Sequence, residues 1–92
     1  MQATAELQVI PIGSGVSVRS EVKQVVNMLS EFNLTLETHA SGTNIEGELD
    51  IILAATTKVH EFLHQSGVVR IVSYLKLETR TDKIPTLSGK RL

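Results

Sequence analysis

Apolar and polar residues alternate from the start of this chain. Ala3, Ala5, Leu7 and Val9 fall on one side of an extended backbone, and Thr4, Glu6, Gln8 and Ile10 on the other. That period of two predicts a half-buried strand over 3–10, ended by Pro11 and Gly13-Ser14-Gly15. The period then lengthens. Val18, Val22, Val25, Val26, Leu29 and Phe32 recur at three- and four-residue steps, with Arg19, Lys23, Gln24 and Asn27 opposite them. This predicts an amphipathic helix, capped in front by Ser17 and behind by a left-handed Asn33. Alternation returns in a second strand, 34–39, which the Ala40–Gly42 turn joins to a third near 43–49. In the third strand Ile45, Gly47 and Leu49 face one way, and Asn44, Glu46 and Glu48 the other. Ile52, Leu53, Val59, Phe62 and Leu63 form the stripe of a second helix, capped by Asp50 and stopped by Gly67. A last strand runs from about Val68 to Thr79. Val69, Ile71, Leu75 and Leu77 share one parity, interrupted by Ser73; Arg70, Val72, Tyr74 and Lys76 take the other. The tail, 80–92, is polar, and is expected to be irregular or to dock on a neighbouring subunit.

The order β-α-β-β-α-β with right-handed crossovers places both helices on one face of a four-stranded antiparallel sheet. The predicted fold is therefore α+β and ferredoxin-like, one domain over 1–92, with the first and third strands central. The face without helices is then expected to carry Glu6, Gln8, Glu37, His39, Asn44, Glu46, Arg70, Val72, Tyr74 and Lys76. Glu6 and Glu46 come from neighbouring strands. Two carboxylates that close favour a cation, a shared proton or a basic neighbour. The plain alternative is a solvated or subunit-covered face with ordinary ion pairs.

Composition narrows the function. A net charge of −1 supplies no basic stripe for nucleic acid. Three aromatic residues, Phe32, Phe62 and Tyr74, are too few for base stacking. No apolar run approaches the length that spans a bilayer, and the start of the chain lacks the pattern of a secretory signal. The absence of cysteine removes disulfide and thiol chemistry and fits a cytoplasmic location. A chain of 92 residues buries a modest core, which makes self-association a natural stabilising device.

His60-Glu61-Phe62-Leu63-His64 matches the H-E-x-x-H pattern of zinc peptidases, in which two histidines four apart hold one metal. Few residues follow to build a cleft, no later histidine exists, and His64 sits where the helix dipole favours its protonated form. The preferred reading is a half-exposed pair flanking the core residues Phe62 and Leu63, with no metal and no catalytic residues. Gly13-Ser14-Gly15 precedes a helix, where backbone amides hold anions, but its spacing is neither that of a Walker loop nor of a dinucleotide fingerprint. No Ser-His-Asp arrangement is evident.

Pro11-Ile12-Gly13, Gly42-Thr43-Asn44-Ile45-Glu46-Gly47-Glu48 and Arg80-Thr81-Asp82-Lys83, with Lys90 near the end, resemble the small thiamine-binding protein family of the YkoF-like superfamily. Asn44 stands where that pattern more often has an aliphatic residue, and His39-Ala40-Ser41 differs from its usual turn. The resemblance implies ferredoxin-like domains assembled as dimers or tetramers through their sheets. It also implies cytoplasmic binding of thiamine or its hydroxymethylpyrimidine part, without catalysis and without a cofactor. Thr43 and Glu46 are the closest matches. Parity and resemblance together propose Glu46 and Glu6 for the thiazolium charge, Thr43, Ser14 and Asn44 for pyrimidine hydrogen bonds, and Tyr74, Val72 and Ile10 as the wall. Two other readings remain, in this order: a structural or regulatory homo-oligomer with no small-molecule ligand, and a metal-dependent hydrolase built on His60, Glu61 and His64.

Overall fold

A computed structural model describes residues 1–13, 15 and 18–92. Strand β1 (Gln2–Ile12) is followed by α1 (Arg19–Leu29), β2 (Thr35–His39), β3 (Gly42–Glu48), α2 (Leu49–Gln65) and β4 (Arg70–Glu78), with a short 3-10 turn at Ser88–Lys90. The strands form one sheet in the order β2-β3-β1-β4, every pairing antiparallel. This is the predicted ferredoxin-like α+β arrangement. The core lies between sheet and helices: Ala3, Ala5 and Leu7 of β1 and Ile45 of β3 meet Val25 and Leu29 of α1 and Ile52, Ala55, Val59 and Leu63 of α2. Full burial of each large aliphatic side chain contributes about 1.5–3 kcal/mol.

The boundaries differ from the periodicity in instructive ways. β1 continues through Pro11 to Ile12. Its register with β3 ends at Leu7↔Thr43, whereas that with β4 runs on to Ile12↔Arg70. Pro11 therefore lies where only one neighbour remains, a setting that tolerates its missing N–H. Helix α1 stops at Leu29, before Phe32. Asn33 does not take the left-handed role: among the described residues only Gly13, Gly15 and Gly67 have positive φ. Tight backbone bonds turn the chain instead: Glu31 N–H to Met28 O and Phe32 N–H to Leu29 O use carbonyls the helix end leaves free, and Leu34 N–H to Phe32 O tightens the turn that follows. The expected cap Ser17 lies outside the described residues.

Helix α2 starts at Leu49 behind an extended Glu48 with no side-chain cap. Asp50 is thus inside the first turn, where its charge suits the dipole, and not the cap. Leu53 is exposed, and Ala55 fills the core stripe instead. Gly67, at φ +102°, ends the helix as expected. Its N–H donates to His64 O and that of Val68 to Leu63 O, the paired bonds of a Schellman motif. Val69 precedes β4 and is 89% exposed, outside the core.

The tail docks on its own sheet. Residues 85–91 form a strap over the face opposite the helices. Pro85 is buried, Leu87 N–H donates to Glu46 Oε1 at 2.8 Å, Lys90 pairs with Glu78, and Arg91 pairs with Glu37. Three strands thus each supply a carboxylate to hold it.

Candidate functional site

The register decides which side chains can meet. On the face away from the helices, one row runs Glu37, Asn44, Glu6, Lys76 across β2, β3, β1 and β4, and the next runs Thr35, Glu46, Thr4, Glu78. Glu6 and Glu46 are therefore diagonal neighbours on the open face. Glu46 is held by the strap, which also leaves Thr4 only 4% exposed. Tyr74 lies one row further on, opposite Gln8, and is 62% exposed beyond the strap. Ser14 lies outside the described residues. Thr43 shares the parity of Ile45, is 5% exposed, and turns toward the helix side, where its Oγ1 lies 3.4 Å from Thr38 Oγ1. The proposed ligand set is therefore split by the sheet, with Thr43 on one side and Glu6, Asn44, Glu46 and Tyr74 on the other.

Each side has a cavity. The one on the helix side, of about 240 Å³, opens between α1 and the β2–β3 hairpin. Its walls are mainly Leu7, Val9, Pro11, Val22, Val25 and Val26. The polar lining includes Thr43, Ser41, His39 and Glu21. Pro11 and Gly42-Thr43 belong to two of the sequence motifs, so segments far apart in the chain close on one space. A Cβ at Gly42 would stand 2.8 Å from Leu7 O; the glycine lets the hairpin lie close against β1. Sequence reasoning missed Glu21, because an acid in the first turn of a helix reads as a dipole partner. The second cavity, of about 580 Å³, lies beneath the strap and has Glu6, Asn44 and Lys76 in its lining.

A polar chain links hairpin and strap. Ser41 N–H donates to His39 Nδ1 at 3.3 Å, which leaves the ring proton on Nε2. That nitrogen lies 3.2 Å from Asn44 Oδ1 and 3.2 Å from Glu6 Oε2. Asn44 Nδ2 reaches Glu37 Oε1 at 3.5 Å. Hydrogen bonding and charge from Arg91 hold the Glu37 carboxyl below its ordinary range, and a hydrogen bond from Lys90 does the same for Glu78.

The histidines of α2 are occupied locally. His60 Nε2 lies 2.7 Å from Ser73 Oγ, which accounts for the polar interruption in the apolar parity of β4. His64 Nδ1–H donates to Val68 O at 2.8 Å, and Glu61 pairs with Lys58 at 3.4 Å. Among the described residues no three His, Cys, Asp or Glu side chains gather as metal ligands do. No helix among them is long and apolar enough to cross a membrane.

Sheet order and helix placement define a ferredoxin-like α+β domain with a recess on each face of its sheet. The chain belongs to the thiamine-binding protein family, whose model matches residues 5–91. It is 41% identical over 90 residues to a UPF0045 protein of Synechocystis sp., covering 98% of this chain and 74% of the relative. A UPF0045 protein of Methanocaldococcus jannaschii is 39% identical over 89 residues, covering 97% of this chain and 88% of the relative. The crystal structure of the Methanocaldococcus jannaschii protein superposes with a TM-score of 0.90 over 97% of this chain and 91% of its own. A proposed thiamine biosynthesis/salvage protein of Thermotoga maritima shares the fold, with a TM-score of 0.84 at 20% identity, covering 99% of this chain and 100% of its own.

Proposed function

We propose that this protein binds thiamine, or its hydroxymethylpyrimidine part, in the cavity between α1 and the β2–β3 hairpin, and releases it unchanged. The reading rests on one observation: the Pro11 and Gly42-Thr43 motif segments close on a mainly apolar recess with few polar groups. Apolar walls suit the flat faces of two heteroaromatic rings, and convergent polar groups set orientation. The aminopyrimidine both donates and accepts hydrogen bonds, as the Thr43 and Ser41 hydroxyls do. The thiazolium carries a permanent positive charge, for which Glu21 is the carboxylate in the lining. This moves the charge partner from Glu46 and Glu6, on the far face, to α1. A cysteine-free chain fits action in the cytoplasm, and self-association through the open sheet face fits the small core.

Titration calorimetry with thiamine tests this reading. Binding is expected for the native chain, with Thr43→Val and Glu21→Gln each weakening it about tenfold, as loss of one hydrogen-bonding or charged partner does. Thiamine should also raise the melting temperature, because it binds the folded state. Native affinity in both variants would remove the cavity from consideration.

A second reading, a structural or regulatory homo-oligomer without a ligand, is favoured by one feature. Ile10, Ile12 and Tyr74 are exposed on the part of the sheet that the strap leaves open. It predicts assembly without any thermal shift from thiamine.

A further inference from the structure

The cavity beneath the strap lies on the opposite side of the sheet from the thiamine reading and makes no use of it. Its volume, about 580 Å³, falls in the range of small-molecule sites. Its lining carries three carboxylates, Glu6, Glu37 and Glu78, and three cations, Lys76, Lys90 and Arg91. Four of these neutralise one another: Arg91 pairs with Glu37, and Lys90 with Glu78. Those pairs fasten the roof to the floor and leave Glu6 and Lys76.

Glu6 and Lys76 are directly opposite each other in the β1–β4 register. Cross-strand partners at that spacing readily form ion pairs. These two do not: among the described residues Lys76 makes no ion pair. Glu6 instead leans toward β2, with Oε2 at 3.2 Å from His39 Nε2. Its other oxygen, Oε1, has no partner among the described residues. The cavity thus offers one carboxylate with a single oxygen engaged, Glu6, and one ammonium without an ion-pair partner among the described residues, Lys76, on a lining that is otherwise balanced. A simple cation would satisfy Glu6 and repel Lys76; a simple anion would do the reverse. A molecule with both charges satisfies both and leaves the lining neutral. The Leu87 roof gives its carbon skeleton an apolar contact, and the Asn44 amide adds a hydrogen-bonding group beside Glu6.

We propose that this strap-roofed cavity is a binding site for a small zwitterionic amino acid, its ammonium on Glu6 and its carboxylate on Lys76. Both ends then form charge-assisted hydrogen bonds.

The experiment is calorimetric titration of the full chain with L-leucine and γ-aminobutyrate, using butylammonium and butyrate at matched ionic strength as one-charge controls. At least one dipolar probe is expected to bind with a Kd of about 1 mM or below, and the controls to bind at least about tenfold more weakly. Glu6→Gln and Lys76→Gln are each expected to lower the affinity about tenfold with an unchanged circular dichroism spectrum. Thr43→Val, in the other cavity, should leave it unchanged. The proposal is overturned if neither probe binds at about 10 mM, if the controls bind as well, or if the two charge variants match the native chain. Thiamine affinity in Lys76→Gln, which touches no residue of the hairpin cavity's polar lining, is expected to stay native, so failure here is separable from failure of the hairpin-cavity reading.

Discussion

Thr43 and Glu46 stand three residues apart in one motif, yet the backbone sends them to opposite sides of the sheet. The information was already in the chain, since Thr43 shares its parity with Ile45 and Gly47, and side chains on a strand alternate. The resemblance obscures it: one family motif carries both Thr43 and Glu46, whereas pleat geometry separates them. Glu21 was hidden for another reason, because its meeting with the hairpin depends on how α1 lies across the sheet. The two glycines of the same motif differ in a way the sequence does not reveal. A Cβ at Gly42 would stand 2.8 Å from the backbone oxygen of Leu7, whereas at Gly47 it would stand 2.6 Å from the end of the Leu34 side chain. Backbone in a paired strand yields little, while a leucine terminus can rotate away. Gly42→Ala is therefore expected to destabilise by about 1–3 kcal/mol, and Gly47→Ala by less. Urea unfolding of both variants checks this; equal losses would mean that β1 yields as easily as Leu34.

At the scale of elements, strands and helices were legible because their periods are strong, and their ends less so because ends are set by local bonds. Asn33 offered a familiar stop signal, but tight turns from Glu31 to Leu34 did the work. Gly67 was read correctly since its φ of +102° is one that glycine alone adopts readily. The strap was not legible. Its polarity marked it as irregular, but its seat depends on carboxylates from three strands that only the folded sheet assembles. Two of them set its response to acid. Arg91 and Lys90 depress the pKa values of Glu37 and Glu78 below the ordinary 4.5. A depressed carboxylate contributes stability that is complete above its unfolded value and is lost as pH falls through the folded one. The strap is therefore expected to stay seated above about pH 5 and to loosen on acidification below the ordinary glutamate range. The amide of Leu87, bonded to Glu46, is a single-site reporter. Its NMR chemical shift should move toward a random-coil value before the amides of β1 do, and Arg91→Ala should move the transition to higher pH. Simultaneous loss of both signals would mean that the strap has no transition of its own.

For the molecule as a whole, the covered and uncovered faces were foreseen, and the division of the uncovered face was not. One part lies under the strap; the other presents Ile10, Ile12 and Tyr74. Contiguous exposed apolar side chains of this kind mark interaction surfaces, and the proposed self-association places its contact there. Tyr74→Glu is expected to shift the mass measured by light scattering from oligomer toward protomer, since burying a charge in an apolar contact is costly. An unchanged mass in both Tyr74→Glu and Ile10→Glu would put the contact on another surface. The central position of β1 has one more consequence. Its partners arrive late: Gln2 pairs with Glu48, and Thr4 with Glu78. During synthesis β1 emerges well before β3 and β4, so both of its ladders can close only once the chain has been made through Glu78. Closing such distant pairings is slow, so the nascent protein spends that interval with an apolar, unladdered segment open to misassembly or to chaperone capture.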